Sequence, residues 1–497
     1  TPPSNQVVLG SMTFSPATTS SNVSAAISFD SSHIQIVDTS RNTLAYNLTN
    51  GAYTINPSSQ STATPTTRPT NTPTGSSNPT PTLTTKPTST PTTRPTATPT
   101  MSTNSGPTPT PISSSAGTGN RTFTYAQGGI WLTPDEIQQI PMNNASWDSL
   151  VAWSKKSMNI VGDITCTSGG ACTSDATTPR AILARAIVGM RTGNSTLINE
   201  AKSEIDRVDE AIYGAKSNVD EKWPERNLGP IAVAANIINY RPLNLTTALR
   251  AVLYDWPFEG TNIKYMSTHQ LPNKPSWGRW SVLTSAYIME DWTTVNQMVQ
   301  TEAKALGEPN WGGSANTVQL ELTGLGNDDN WQTLQPGGKS NPLLVMPAGI
   351  NYSGHGVGGL YLADQYRAAN GPQWPPSYTD YTFEGRAPNI AISWAAYHLG
   401  WKDALKWGNY ALLRSMLFSY STHDGKTSWP VGGNDVWQNA ALMTWVKLDP
   451  TFNSGLPSSL KPEPDAPVTW PLPVTAGGDP GRGIGWMYAT HYARLVL

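Results

Sequence analysis

One glycine-rich segment carries the side chains best suited to proton transfer. His355 lies in Tyr352-Ser-Gly-His-Gly-Val-Gly-Gly-Leu-Tyr361, between two tyrosines. Histidine and tyrosine act as general bases and acids because their pKa values can be tuned toward the working pH, and the glycines let backbone and ligand approach closely. We predict His355 as a base and Tyr352 or Tyr361 as an acid, with Tyr352 favoured because it shares the loop. A structural histidine and packed aromatic rings are the alternatives.

A second candidate is a cation flanked by aromatic rings. Arg279 lies between Trp277 and Trp280 in Trp277-Gly-Arg-Trp280. A guanidinium can pair with a carboxylate through two hydrogen bonds, while neighbouring indoles can form stacking platforms. The pattern predicts that Arg279 holds a substrate carboxylate, and the alternative is a cation–π cluster at the surface.

Tryptophan is abundant, and all 19 copies lie between Trp131 and Trp486. Sugars present apolar C–H faces that stack on flat indoles, so the abundance favours a sugar-binding protein. The tryptophans predicted to line a groove from connecting segments are Trp277, Trp280, Trp311, Trp374, Trp429 and Trp437. Others are predicted to be core because their neighbours are apolar, namely Trp394, Trp407 and Trp445.

Charged residues also occur where a long apolar helix is predicted to start. Tyr381, Glu384 and Arg386 lie in Tyr381-Thr-Phe-Glu-Gly-Arg386 and are predicted substrate contacts, although an acidic residue at a helix start also complements the helix dipole. Hydrolysis of a glycoside would require two carboxylates flanking the bond. The available carboxylates are Asp328, Asp329, Asp364, Glu384 and Asp435, and no spacing singles out a pair. We predict no metal and no cofactor, because acid–base chemistry on these side chains requires neither; Asn327, Asp328 and Asp329 could bind calcium, but no twelve-residue calcium loop is present.

The elements that must position these residues are helices. Apolar residues recur at spacings of three and four in a series of segments broken by Gly or Pro. These segments are Pro179–Met190, Leu228–Tyr240, Leu245–Trp256, Val282–Met289, Val318–Leu325, Asn389–Leu399, Ala404–Leu417 and Val436–Val446. About a dozen helices arranged as consecutive pairs predict a mainly α domain over 119–497, organised as an incomplete (α/α) toroid.

A low-complexity stretch separates that domain from a smaller one. Residues 57–118 are rich in Thr and Pro, and Thr64–Thr70 recurs letter for letter as Thr90–Thr96. Such a composition cannot bury a core and favours a disordered or polyproline II linker. Residues 1–56 show strand-like alternation in Ala25–Asp30 and His33–Asp38, which predicts part of a β-sandwich.

Composition limits the partners and the compartment. The net charge of -2 gives no basic stripe for nucleic acid, and no apolar run is long enough to span a membrane. Cys166 and Cys172 flank a short Gly/Ser/Thr loop, which predicts a disulfide in an oxidising compartment and leaves a pair of free thiols as the alternative. We therefore expect a secreted or cell-surface protein whose signal segment has been removed, with O-glycans on the linker.

Several motifs resemble the helical toroid of alginate lyases and the related chondroitin lyase-like domains. They are Ala181-Ile-Leu-Ala-Arg-Ala-Ile-Val-Gly-Met-Arg-Thr-Gly193, Glu225-Arg-Asn-Leu-Gly-Pro-Ile-Ala-Val-Ala-Ala235, Pro309-Asn-Trp-Gly-Gly313 and Gly481-Arg-Gly-Ile-Gly-Trp486. The resemblance covers roughly Trp131 to Leu497. The N-terminal segment resembles cohesin-like and carbohydrate-binding sandwiches, and a partner strand could complete it.

The resemblance implies cleavage of a uronic-acid polysaccharide by β-elimination. Asn310 then becomes the amide that faces the substrate carboxylate, with an N-cap of a helix near Ser314 as the alternative. Alginate lyases follow this Asn with a second Asn and a His, whereas Trp311 and Gly312 stand here. A histidine must come from elsewhere, and His355 is the candidate. The competing functions are glycoside hydrolysis on the same toroid and non-catalytic glycan binding at a cell surface.

Overall fold

The chain divides into two compact units, Thr1–Thr96 and Ala97–Leu497. The computed structural model describes residues 23–26, 46–49, 52–55, 119–164, 176–214, 222–257, 261–271, 273–308, 310–311, 314–315, 319–322, 331–362, 374, 380–422, 434–462, 468–476 and 483–496. The predicted linker at 57–118 and the predicted disulfide between Cys166 and Cys172 lie outside the described residues.

The first unit contains a small antiparallel sheet. Its strands are β1 (Val23–Ala26), β2 (Tyr46–Thr49) and β3 (Ala52–Ile55), in the order β1-β3-β2. Ile55 is opposite both Val23 and Tyr46. Asn50 and Gly51 separate β2 from β3 in sequence, and this dipeptide favours tight hairpins. Strand β1 overlaps the first predicted strand, while His33–Asp38 falls outside the described part of the chain.

The second unit is mainly helical, as the periodicity predicts. Its helices are α1 Pro134–Gln138, α2 Ala145–Ser154, α3 Ile160–Ile164, α4 Thr177–Thr192, α5 Ser195–Asp206, α6 Val208–Gly214, α7 Lys222–Ile237, α8 Leu243–Arg250, α9 Ile263–His269, α10 Asn273–Ile288, α11 Trp292–Ala305, α12 Asp380–His398, α13 Trp407–Thr422, α14 Asn434–Leu448 and α15 Ala493–Val496. Two π-helical turns, Ala251–Asp255 and Tyr488–Tyr492, extend α8 and precede α15. Short strands connect them as β4 Gln270–Leu271, β5 Asn310–Trp311, β6 Ser314–Ala315, β7 Glu321–Leu322, β8 Asn351–Tyr352 and β9 His355–Gly356.

Local sequence explains many of the helix boundaries. Thr133 and Glu136 form a reciprocal capping box at the start of α1. Asn144 caps α2 and Asp291 caps α11 through side-chain oxygens that accept from backbone N–H groups. Gly193 ends α4 in the left-handed conformation, at φ 68°, which suits glycine. The predicted helix Val318–Leu325 is wrong, because this range contains strand β7, which pairs in parallel with β4.

Along the second unit, a series of helices packs one on the next, with one or two helices between consecutive members in sequence. Helix α4 packs on α7, α7 on α10, α10 on α12 and α12 on α14. Helix α14 packs on the π-helical turn Tyr488–Tyr492, which also contacts α2, and α2 packs on α4. The π-helical turn Tyr488–Tyr492 therefore brings the end of the series back to α2. Trp486 Nε1 donates to Ser149 Oγ at 3.2 Å across this closure.

Two apolar clusters support the helices. The larger one runs through α4, α7, α10, α12 and α14 and contains most of the buried tryptophans. The smaller one contains Trp331, residues on either side of the β8–β9 hairpin, and Phe418 of α13. This smaller cluster is the floor of the candidate site, and its buried members are Trp331, Leu343, Met346, Val357, Leu360, Leu362 and Phe418.

Candidate functional site

The glycine-rich segment forms a tight β-hairpin. Tyr352 of β8 is directly opposite His355 of β9 in the antiparallel register. Ser353 and Gly354 make the turn with φ 51° and 83°, and two positive φ values are typical of the turn that suits a two-residue hairpin. Opposed residues of an antiparallel pair have Cβ atoms about 4.5–5.5 Å apart on one face. The hairpin therefore presents Tyr352 and His355 together.

His355 is stacked flat on the indole of Trp374. Their ring centroids are 4.0 Å apart and the rings are 8° from parallel. Both side chains are half-buried, and Ser353 and Gly354 at the tip are exposed. The nitrogens of an imidazole lie in the plane of its ring, so stacking on a face leaves them at the edge, where proton transfer takes place. The structure thus brings together three predicted site residues, Tyr352, His355 and Trp374.

Trp331 completes this group, and the sequence reasoning missed it. Its ring centroid lies 5.2 Å from that of Tyr352, at 61° between the ring planes. Trp331 is fully buried, whereas Tyr352 is half-buried. The signal in the sequence that could have identified Trp331 was its position between two polar residues, Asn330 and Gln332. We call Trp331, Tyr352, His355 and Trp374 the hairpin cluster.

Tyr361 belongs to a separate, buried group. Its hydroxyl accepts from Asn389 Nδ2 at 2.8 Å, and only 1% of the residue is exposed. Arg386 lies with its guanidinium carbon 5.5 Å from the Tyr361 ring centroid and donates to Ser419 Oγ at 2.9 Å. Arg386 is completely buried. In this structure Tyr361 and Arg386 are therefore core residues and do not face a groove.

Arg279 is also inside the protein. Its Nη1 is 2.7 Å from Glu302 Oε2, and both side chains have no exposed surface. The guanidinium also donates to the carbonyl oxygens of Ser267 and Gln270, at 2.9 and 3.3 Å. Burial raises the pKa of Glu302 to about 7, although Arg279 acts in the opposite direction. The Arg279 guanidinium, which was predicted to bind a substrate carboxylate, therefore binds the Glu302 carboxylate instead.

The prediction that Trp277 and Trp280 lie in a connecting segment is wrong. Both belong to α10 and are 1% and 0% exposed. Trp437 lies in α14 and is 1% exposed, so it too is in a helix rather than a connection. Trp311 is in a connection, as predicted, but is 6% exposed and donates from Nε1 to Asn120 Oδ1 at 2.7 Å. Trp429 lies outside the described residues.

Asn310 does not cap a helix near Ser314. The backbone of Asn310 pairs with Ala315 and that of Trp311 with Ser314, so Ser314 lies in a strand. The side chain of Asn310 lies outside the described part of the chain. The same holds for Tyr381, which is within α12.

Glu384 forms an ion pair that the sequence did not reveal. Its Oε1 lies 2.7 Å from Arg226 Nη2, with 16% and 11% of the two side chains exposed. Glu384 is near the start of α12 and Arg226 is near the start of α7, so the pair ties two helix N-termini together. Arg226 stands in the motif Glu225-Arg-Asn-Leu228, which was the signal that could have identified it.

Within the described ranges, no cluster of three or more His, Cys, Asp or Glu side chains could hold a metal ion. None of the helices described is both long and apolar enough to cross a bilayer. Comparison with known proteins found no family model, no curated protein and no solved structure that matches this chain.

Proposed function

We propose that the second unit is a polysaccharide lyase that cleaves a uronic-acid polymer by β-elimination, with His355 as base and Tyr352 as acid. The observation that carries the proposal is the pairing of Tyr352 with His355 across the hairpin, with His355 stacked on Trp374. A base and an acid on one face of a rigid turn suit a reaction that removes one proton and returns another. The half-buried indole edge offers the adjoining sugar an apolar surface.

The chemistry assigns a separate role to each group. The His355 imidazole removes the C5 proton, the electron pair forms the C4–C5 double bond, and the bond from C4 to the glycosidic oxygen breaks. The Tyr352 hydroxyl gives its proton to the departing oxygen. The substrate carboxylate must be neutralised for C5 to become acidic. We propose Asn310 for that task, because Arg279 is engaged with Glu302 inside the core.

The packing of helices that are not adjacent in sequence supports an incomplete (α/α) toroid. In such a ring, the helices of one layer pack on one another and are joined through the helices of the other layer. The series α4, α7, α10, α12 and α14 packs in this way, with one or two helices between consecutive members in sequence. We propose that it is the inner layer. The remaining expectations belong to the same proposal: a secreted or cell-surface protein, a glycosylated linker, a Cys166–Cys172 disulfide, and a β-segment that holds a surface or partner.

Ultraviolet absorbance tests the reaction directly. Elimination creates a double bond conjugated with the carboxylate, so a screen of uronic-acid polysaccharides should show rising near-ultraviolet absorbance. His355→Ala and Tyr352→Phe should each lower the rate by about 10²–10⁴-fold, as expected for lost acid–base catalysis. His269→Ala is the matched control, because His269 is likewise stacked on an aromatic ring, that of Tyr265, at 4.3 Å. New reducing ends without absorbance would instead indicate hydrolysis.

Glycan binding without turnover is the second candidate. Its support is the burial of Arg279 with Glu302, which removes from the site the cation expected to pair with a substrate carboxylate. Under this function, His355→Ala leaves affinity for the polymer unchanged while Trp374→Ala weakens it. Binding of a polymer in isothermal titration, without any rise in near-ultraviolet absorbance from the native chain, separates this outcome from catalysis.

A further inference from the structure

Helix α13 begins with a left-handed turn. Gly408, Asn409 and Tyr410 have φ values of 60°, 56° and 58° and ψ values of 32°, 60° and 40°. Left-handed backbone costs free energy at every residue other than glycine, because the Cβ atom approaches the following carbonyl. Asn409 and Tyr410 carry this cost, and such strained residues persist only where surrounding contacts determine their conformation. A Cβ on Gly408 would lie 1.7 Å from the carbonyl oxygen of Leu306, which shows how closely this turn abuts the end of α11.

Arg414 provides those contacts. Its Nε donates to the carbonyl oxygen of Asn409 at 2.8 Å and its Nη2 donates to that of Gly408 at 2.9 Å. Its Nη1 donates to the carbonyl oxygen of Met346 at 3.0 Å. The residue is 3% exposed, and burial lowers its pKa to about 10. A single buried guanidinium therefore joins the left-handed turn to the segment that carries the hairpin cluster.

Met346 leads directly to that hairpin. Its N–H donates to Leu360 at 2.8 Å, and its carbonyl oxygen accepts from Gly359 at 2.9 Å. Val357 donates to Ile350 at 2.8 Å and closes the base of the hairpin. Gly359 has φ 103°, and a Cβ there would lie 2.7 Å from the carbonyl oxygen of Arg414. The backbone below Tyr352 and His355 is thus pressed against α13 at Arg414.

The same helix supports the other side of the cluster. Phe418 follows Arg414 by four residues, so the two side chains share one face of α13. The Phe418 ring meets Trp374 edge-on, with 6.4 Å between centroids and 69° between planes. Trp374 in turn stacks on His355. One helix face therefore fixes both the backbone under the hairpin and the indole beside its imidazole.

We infer that Arg414 is the positioning residue of the hairpin cluster: it fixes the orientation of His355 and Tyr352 by joining the Met346 carbonyl to the left-handed turn. The consequence for catalysis rests on the proposed function, but the positioning itself does not. Arg414 touches no substrate in this scheme. It acts through the backbone of Met346 and Gly359.

The test uses Arg414→Lys in the full chain. Lysine keeps the positive charge but lacks the planar fork that reaches three carbonyl oxygens at once. The measurement is the NMR chemical shifts of the histidine ring protons. The His355 signals are assigned by their loss in His355→Ala. We expect Arg414→Lys to remove the ring-current shift that Trp374 imposes on His355, while the His269 signals stay in place. Arg241→Lys is the matched control, because Arg241 forms a surface ion pair with Glu290 at 2.6 Å.

Asn409→Gly provides a second background in which the left-handed turn carries less strain. If Arg414→Lys unfolds in the native background, the double variant is measured instead. Unchanged His355 signals in a folded Arg414→Lys variant would overturn the assignment, and so would unfolding in both backgrounds, which would make Arg414 a residue of the fold as a whole. If the lyase activity is found, kcat should fall by up to about 10²-fold with little change in KM. Altered His355 signals without any turnover by the native chain would reject the proposed function and keep the positioning role.

Discussion

Arg494 and Glu136 are joined by an ion pair across 358 residues of sequence, with 2.9 Å between Arg494 Nη2 and Glu136 Oε1. Glu136 also lies 3.9 Å from His398 Nδ1. His398 in turn has its ring centroid 6.1 Å from that of His491, which is completely buried. The closure of the helical unit thus contains two histidines, a carboxylate and a guanidinium.

The histidines of this closure make stability depend on pH. Burial lowers the pKa of His398 to about 4, with Glu136 opposing the shift and Arg494 and Lys402 adding to it. Burial also holds the pKa of His491 well below 6.5, with His398 and Arg494 contributing. The unfolded chain then binds more protons than the folded one below pH 6.5, so stability is complete above that pH and is lost as the pH falls toward 4.

Thermal unfolding across this range checks the prediction. The melting temperature should decline from pH 7 to pH 4.5, and His398→Gln should reduce the slope because it removes one of the two groups. His269→Gln should leave the slope as it is. An equally steep decline in His398→Gln would show that the acid sensitivity arises elsewhere.

Removal of the charge on Glu136 should weaken the closure. Glu136→Gln retains a residue that completes the capping box of α1, but it leaves Arg494, with 5% of its side chain exposed, without its charged partner. We expect a loss of about 1–3 kcal/mol in the free energy of unfolding, measured in urea. Glu290→Gln at the surface pair with Arg241 should cost no more than about 1 kcal/mol. Equal effects of the two substitutions would contradict a special role for the closure.

Arg279 should contribute to stability rather than to ligand binding. Arg279→Ala leaves Glu302 buried without its cation, and such losses cost about 3–5 kcal/mol. The ionised form of Glu302 is then disfavoured further, so the variant should be least stable above pH 7, where unfolding releases the proton. Chemical denaturation at pH 5 and pH 8 measures both effects. A stable variant with reduced affinity for a uronate polymer would restore Arg279 as a substrate contact.

Gly359 should tolerate alanine less well than Gly193 does. Both have positive φ, but a Cβ at Gly359 would lie 2.7 Å from the carbonyl oxygen of Arg414, whereas nothing lies within 4 Å of one at Gly193. Gly193→Ala should cost about 1–2 kcal/mol for the left-handed backbone alone, and Gly359→Ala should cost more. Equilibrium unfolding of the two variants gives the comparison. Similar losses of unfolding free energy in the two variants would mean that the segment below the hairpin shifts to accommodate the added Cβ at little cost.

Helix periodicity predicted the helices well because buried faces repeat along them. Around Trp277 the predicted segment began only at Val282, although α10 begins at Asn273 and accommodates Pro275 in its first turn, where a missing N–H is not needed. Composition could not show which tryptophans line a groove and which lie in the core, since an indole is suited to both positions. The stacking of His355 on Trp374 joins residues from separate segments, and no local pattern encodes such a contact. Buried ion pairs such as Arg279 with Glu302 are hidden from the sequence for the same reason.

The closure also has a consequence for synthesis on the ribosome. Within the helical unit, Trp131 and α2 are made before the other described helices from α3 onward, yet the ring of Trp131 packs 5.2 Å from that of His491, and Trp486 donates to Ser149 in α2. Until the C-terminal segment has been made, these early apolar surfaces lack their final cover. Contacts of such long sequence separation slow folding, and transiently exposed apolar surface promotes aggregation. Folding of the helical unit should therefore remain incomplete until the π-helical turn Tyr488–Tyr492 has been made.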